Sequence, residues 1–284
     1  MEPDSHCESV VSDSARHDGA LVPLAPGTLI TIGAGPVSVD IAPEAGGRIA
    51  QIRHRDIEQL IGHGESDAMM AWGSYPMAPW AGRIRHGRFD FGGRTVCLPP
   101  NLDGHAIHGV AFAMPWRIDA RSSRHVELSL PLPEDERWPF GGRVRQRIGV
   151  CPDELRMELS VTAGEQAMPA TFGWHPWLRK PDRIEFAPSA FYPRDAEGIA
   201  TLPLAPPPPG PWDDCFINQA PVLVHYGDQA LRLTSDCSHW VIYDEPAHAT
   251  CIEPQSGPPD AFNLAPCLLA PGETARAWFL WEWL

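Results

Sequence analysis

Leu155-Arg156-Met157-Glu158-Leu159-Ser160-Val161 alternates apolar and polar residues without a break. A period of two places Leu155, Met157, Leu159 and Val161 on one side of an extended chain and the polar residues on the other, the pattern of a half-buried antiparallel strand. Pro152-Asp153-Glu154 separates this run from a second strand-like one upstream. Val126, Leu128 and Leu130 alternate with Glu127 and Ser129, and Val37, Val39 and Ile41 alternate with Ser38 and Asp40. Gly92-Gly93 stands between the runs 88–91 and 94–98 as a two-residue hairpin connection. The chain holds 32 Pro and 25 Gly, a density that interrupts long helices. The best helical candidate, residues 56–70, is short and contains Gly62 and Gly64. The expected fold is therefore all-β, a large antiparallel β-sandwich with little helix.

Residues 1–25 are polar and lack apolar periodicity, so they are expected to form a mobile leader, with a single domain over 26–284. The Pro206-Pro207-Pro208-Pro209 run has strand-like sequence on both sides and reads as a rigid surface loop within that domain. Trp278, Trp281 and Trp283 read as a buried last strand.

The net charge of −14 repels phosphate backbones and anionic headgroups, so neither nucleic acid nor a membrane surface is an expected partner. A neutral small molecule fits better, bound by a monomer or a homodimer. A phosphorylated ligand needs a local basic cluster, and the dense candidate stretch is Arg83, Arg85, His86 and Arg88. No apolar run approaches a membrane span and no secretory signal is visible, which makes the cytoplasm the default location. Seven scattered cysteines, none in a C-x-x-C pair, read as reduced thiols that mostly fill small core spaces.

Five polar residues stand in aromatic, Pro or Gly company: Arg83 in Ala81-Gly82-Arg83-Ile84, His108 in His105-Ala106-Ile107-His108-Gly109, His175 in Gly173-Trp174-His175-Pro176-Trp177, Asp213 in Trp212-Asp213-Asp214-Cys215-Phe216, and Glu253 in Cys251-Ile252-Glu253-Pro254-Gln255. Aromatic neighbours suit a sugar, whose C–H face lies on a ring while its hydroxyls need fixed donors and acceptors. Each residue also has a plainer reading. His175 alone is a satisfied core histidine, Glu253 a structural salt bridge, Arg83 a solvated loop charge, and one of Asp213 and Asp214 the head of an Asx turn. His105-x-x-His108 has the spacing of two metal ligands but no Glu or Cys nearby at ligand spacing.

The ordered set resembles the aldose 1-epimerase (galactose mutarotase) family. It comprises Gly46-Gly47-Arg48-Ile49, Trp80-Ala81-Gly82-Arg83-Ile84 with Gly87-Arg88-Phe89, Ile107-His108-Gly109 with Trp116, Gly173-Trp174-His175-Pro176, Asp213-Asp214-Cys215-Phe216, the run from Ile252-Glu253-Pro254 to Phe262-Asn263, and Leu269-Ala270-Pro271-Gly272-Glu273. The resemblance implies a galactose mutarotase-like supersandwich with an open sugar cleft. It also implies Glu253 as general base, His175 as general acid, and Arg83, His108 and Asp213 as substrate-binding residues. Gly82 stands where many members carry Asn, and Pro176-Trp177 where the galactose-acting group often has Tyr and Phe.

Changing an anomer requires removing the proton of the C1 hydroxyl while the ring oxygen gains one. At ordinary pKa values a Glu is ionised at neutral pH and a His is readily kept protonated by carboxylates, so Glu253 and His175 are expected to begin as carboxylate and imidazolium. The reaction calls for no cofactor and no metal, and the sequence has no G-x-G-x-x-G, G-x-x-x-x-G-K-[ST] or H-E-x-x-H pattern. Two other readings stay open: a hexose-6-phosphate 1-epimerase, and a non-catalytic sugar-binding or sensor domain of the same fold.

Overall fold

A computed structural model describes residues 18–284. Two antiparallel sheets carry the chain. The first has ten strands; nine of them run, from one edge to the other, as Ile30–Ala34, Val37–Ala42, Arg48–His54, Ser74–Met77, Gly173–Arg179, Ala249–Gln255, His239–Tyr243, Asp213–Ile217 and Ala190–Tyr192, and Ile57–Glu58 pairs beside Arg48–His54. The second has eight, in the order Arg117–Arg121, His125–Pro131, Arg143–Cys151, Glu154–Thr162, Thr274–Trp283, Gln229–Ser235, Val222–Tyr226 and Arg183–Glu185.

The alternation that opened the sequence reading sets the packing. Leu155, Met157, Leu159 and Val161 are buried, and their strand pairs residue for residue with the last one, where Ala277, Phe279, Trp281 and Trp283 face the same side. Trp174, Phe216, Trp240 and Ile252 enter this core from the ten-stranded sheet. Trp174 and Trp240 meet Phe279 at ring distances of 5.8 and 6.0 Å, and the Trp174 indole N–H donates to Gln146 across the layers. Burying aromatic side chains of this size at about 1.5–3 kcal/mol each holds the sheets face to face. Trp281 and Trp283 are buried as expected, while Trp278 points the other way and carries Arg156 over its ring.

Gly92 and Gly93 both take left-handed φ angles (60° and 79°) between the paired strands Arg88–Phe91 and Arg94–Cys97, the geometry a two-residue hairpin turn demands. Segment 56–70 is not a helix. Ile57–Glu58 joins the sheet, the Gln59 and Ile61 N–H groups donate to Ile52 and Trp177 carbonyls, and turns follow. Pairing with neighbouring strands there outweighs a weak helical periodicity interrupted by two glycines. The α-helix among the described residues is the four-residue Ala261–Leu264.

Most of the expected leader, residues 1–17, lies outside the described residues. Residues 18–25 lie against the body: Ala20 is buried, its N–H donates to the Asn101 carbonyl, and Leu24 and Val22 bond the backbone at Asp67 and Met69. The backbone partners at 67–70 and 101 hold this short stretch where its own sequence carries no periodicity. Cys97 is disulfide-bonded, which corrects the expectation that all seven cysteines are reduced; Cys215, Cys237 and Cys251 are buried free thiols, and Cys151 and Cys267 are exposed. Among the described residues no helix is long and apolar enough to cross a membrane.

Candidate active site

In the ten-stranded sheet every second residue faces away from the sandwich core, and strand register arranges those residues in rows. Tyr75 pairs with His175, and the register that pairs Gly173 with Gln255 and Trp177 with Cys251 sets His175 opposite Glu253. Glu253 pairs in turn with Val241, and Val241 with Cys215. The adjacent row reads Trp177, Cys251, Tyr243, Asp213. Cross-strand neighbours stand about 4.5–5.5 Å apart at Cβ, so Tyr75, His175 and Glu253, far apart in sequence, become contiguous.

Above these rows lies a cleft of about 360 Å³, within the ~300–1,000 Å³ range of small-molecule sites. Glu253, His175, Arg83, His108 and Asp213 all line it. The five residues for which the resemblance implied site roles are thus brought to one place. His105 is elsewhere: its Nδ1 accepts the His86 backbone N–H, and it forms no ligand group with His108.

Local backbone fixes the rim. Arg83 pairs with Ile107 in a two-strand bridge, and the His108 N–H donates to the Gly82 carbonyl. Gly82 has φ +70°, and a Cβ there would stand 2.8 Å from Pro259. His108 is itself left-handed at φ +62°, followed by Gly109 at +76°, where a Cβ would stand 2.0 Å from the Ala78 carbonyl oxygen. A left-handed His costs backbone energy and persists because the packing around it determines it.

At the floor, His175 Nε2 stands 3.3 Å from Glu253 Oε1, with both side chains buried. The imidazole is stacked on Tyr75 at 4.8 Å and Trp177 at 5.4 Å, and His108 meets it edge-on at 5.0 Å. The Gln255 amide donates to Glu253 Oε2 at 3.2 Å. Gln255 Oε1, His108 Nδ1 and His175 Nδ1 are buried with no hydrogen-bond partner in the protein. Groups of this kind at a cleft are suited to a polar ligand.

Burial governs the protonation of the pair. It pushes the Glu253 carboxyl well above the usual carboxylate range, reinforced by the nearby Asp213 charge and opposed by the Gln255 hydrogen bond and Arg83. It also pushes His175 down to about 3. This runs against the expected resting carboxylate and imidazolium: burial favours the neutral tautomer, one proton on the pair and no net charge. His108 is held neutral by burial, with His175 and Arg83 adding to the effect.

Arg194 escaped the sequence reading. It lines the cleft and reaches Asp213 with Nη1 at 2.5 Å and Asp214 with Nε at 3.2 Å. Nothing in Tyr192-Pro193-Arg194-Asp195 marks it, because its partners lie some twenty residues downstream. Asp213 and Asp214 both border the cleft, so the choice between them does not arise. Arg85 is engaged by Asp195 and Glu197 and does not line the cleft; nor does Arg88.

The chain is thus a large antiparallel supersandwich with a buried carboxyl–imidazole pair on the floor of an aromatic-walled cleft. Residues 28–281 match the aldose 1-epimerase family, to which this chain belongs. The uncharacterized protein YphB of Escherichia coli K12 is 29% identical over 172 residues, a stretch that spans 58% of this chain and only 57% of that protein. Among solved structures, a candidate aldose 1-epimerase from Escherichia coli K12 superposes with a TM-score of 0.79 at 22% identity, covering 90% of this chain and 99% of that one. A galactose 1-epimerase from Lactobacillus acidophilus NCFM superposes with a TM-score of 0.77 at 16% identity over 93% of this chain and 98% of that one. At those identities the likeness is one of fold.

Proposed function

We propose that this protein is an aldose 1-epimerase that interconverts the α and β anomers of a free, neutral aldose, with Glu253 and His175 handling the protons. The observation that carries the reading is the buried 3.3 Å contact between Glu253 Oε1 and His175 Nε2 on the floor of a cleft lined by Arg83, His108 and Asp213.

The pair holds one proton across two sites, the inventory that ring opening needs. In the neutral tautomer the proton sits on Glu253; passage across the contact gives carboxylate and imidazolium, a form that Arg83, Gln255 and a bound sugar's O1–H all favour. Glu253 then takes the O1 proton, the C1–ring-oxygen bond breaks as C1=O1 forms, and His175 protonates the ring oxygen. Rotation about C1–C2 followed by the reverse steps closes the ring on the other face. Arg83, His108 and Asp213 hold ring hydroxyls, Asp213 being oriented by Arg194. One copy of the chain supplies the whole set, so a monomer or a homodimer serves equally. A neutral sugar is favoured over a phosphorylated one because Arg83, Arg85 and Arg88 do not converge, and Arg194 is matched by two carboxylates.

Polarimetric relaxation of freshly dissolved α-glucose, α-galactose, α-xylose and glucose 6-phosphate tests this. Wild type accelerates at least one neutral aldose, and Glu253→Gln loses about 10²–10⁴ of that acceleration while still binding the sugar. A wild type that accelerates none of them while binding sugar as tightly as Glu253→Gln would instead be a sugar-binding domain.

A further inference from the structure

Cys251 has no part in the proton chemistry, yet it stands on the same strand face as Glu253, two residues away, and opposite Trp177 in the row next to His175. The Cys251 thiol, a His175 ring nitrogen and a Glu253 carboxylate oxygen all lie within 4.8 Å of one another, and all three residues are buried. Among the described residues no other group of three His, Cys, Asp or Glu side chains comes together in this way.

We infer that His175, Cys251 and Glu253 form a binding site for a thiophilic divalent cation of the zinc type, and that its occupation shuts off the site above. Nitrogen, thiolate sulfur and carboxylate oxygen are the donors tetrahedral zinc takes. Zinc bonds of ~2.0–2.3 Å set tetrahedral donor atoms roughly 3.3–3.8 Å apart, so side-chain rotations moving the donors by about 1 Å complete the triangle. The fourth position, on the side where His175 and Glu253 line the cleft, is left to water. Coordination converts thiol and carboxyl to thiolate and carboxylate and releases two protons to solvent. The two negative charges then balance the dication, so the loaded site is neutral, as a dry floor requires. A metal in this position occupies the lone pairs of both proton-handling groups, so the loaded protein cannot turn over.

The inhibition half of this inference rests on the epimerase reading; the binding half does not. The full-length protein is titrated with cobalt(II), whose bonds to thiolate give a charge-transfer absorption, and its sugar relaxation rate is followed against added zinc and then a chelator. Wild type shows the thiolate band, loses activity to zinc and recovers it with chelator. Cys251→Ser and Cys251→Ala, checked for folding by circular dichroism, lack the band, keep their activity and need at least tenfold more zinc for the same inhibition. A wild type with no thiolate band, or variants that keep the band or the same zinc sensitivity, overturns the site. The cobalt spectrum requires no turnover, so absence of epimerase activity and absence of the metal site are separate outcomes.

Discussion

At the scale of single residues, the site is ruled by the cost of burying charge. Glu253 and His175 each lose bulk water, and each moves toward its neutral form. Two such groups titrate as a pair in two macroscopic steps. The upper step removes the working proton, and because burial raises the carboxyl it lies above the ordinary Glu value. The lower step adds a second proton, and because burial depresses the imidazole to about 3 it lies far below the ordinary His value. The expected kcat/KM profile, corrected for the uncatalysed reaction, is a plateau that extends below pH 5, with its acid limb toward 3. An acid limb near 6.5 in a folded enzyme would show that His175 titrates as though solvated. Glu253 and His175 could be singled out as candidates in the sequence because Pro stands beside both, Trp beside His175, and both fall in a family-like order. Their protonation was not legible, since it depends on what surrounds them in three dimensions. Arg194 was invisible for the same reason: a lone arginine in a loop carries no signal until Asp213 and Asp214 meet it.

At the scale of elements, the cleft depends on loops that cover the outer face of the ten-stranded sheet, and Arg48 ties these loops down. Its guanidinium is fully buried and donates to the carbonyls of Ala45, Met69, Trp72 and Phe112 while lying over the Trp72 and Tyr75 rings at 4.2 and 5.1 Å. Tyr75 is the ring on which His175 stacks, so the clasp reaches His175 through one aromatic neighbour. Arg48→Met keeps the side chain roughly as long but leaves four carbonyl acceptors, three of them buried, without this donor. It is expected to cost about 3–5 kcal/mol, read as a lower urea midpoint with an unchanged slope, and to lower kcat at temperatures where the variant stays folded. The sequence marked Gly46-Gly47-Arg48-Ile49 as family-like without showing a role. Strand alternation and the Gly92-Gly93 hairpin were readable because they are local. The central placing of Gly173–Arg179 and Ala249–Gln255 was not, because Pro176 and Pro254 lack the N–H a ladder uses and argue locally for an edge. Burial on both faces overrides that argument, every residue of Ala249–Gln255 being covered.

At the scale of the whole molecule, 36 acidic against 22 basic side chains surround a cleft whose lining sets Arg83 and Arg194 among four acidic side chains, Asp213, Asp214, Glu245 and Glu253. Such a field does no work on a neutral aldose as it approaches, so kcat/KM for free sugars is expected to stay flat as salt is raised. A sugar phosphate carries its charge against the field. Screening shortens the reach of that repulsion from about 30 Å at 0.01 M salt to about 8 Å at 0.15 M. Any turnover of glucose 6-phosphate is therefore expected to start low at 0.01 M salt and to rise several-fold by 0.15 M. Polarimetric rates for glucose and glucose 6-phosphate along one salt series make the comparison within a single preparation. If the phosphate ester were faster at low salt and slowed as salt increased, a local attraction would be dominating the acidic surface. Arg83, the cleft arginine with no carboxylate within salt-bridge distance among the described residues, would then be the side chain to substitute, and the preference for a neutral substrate would have to be abandoned.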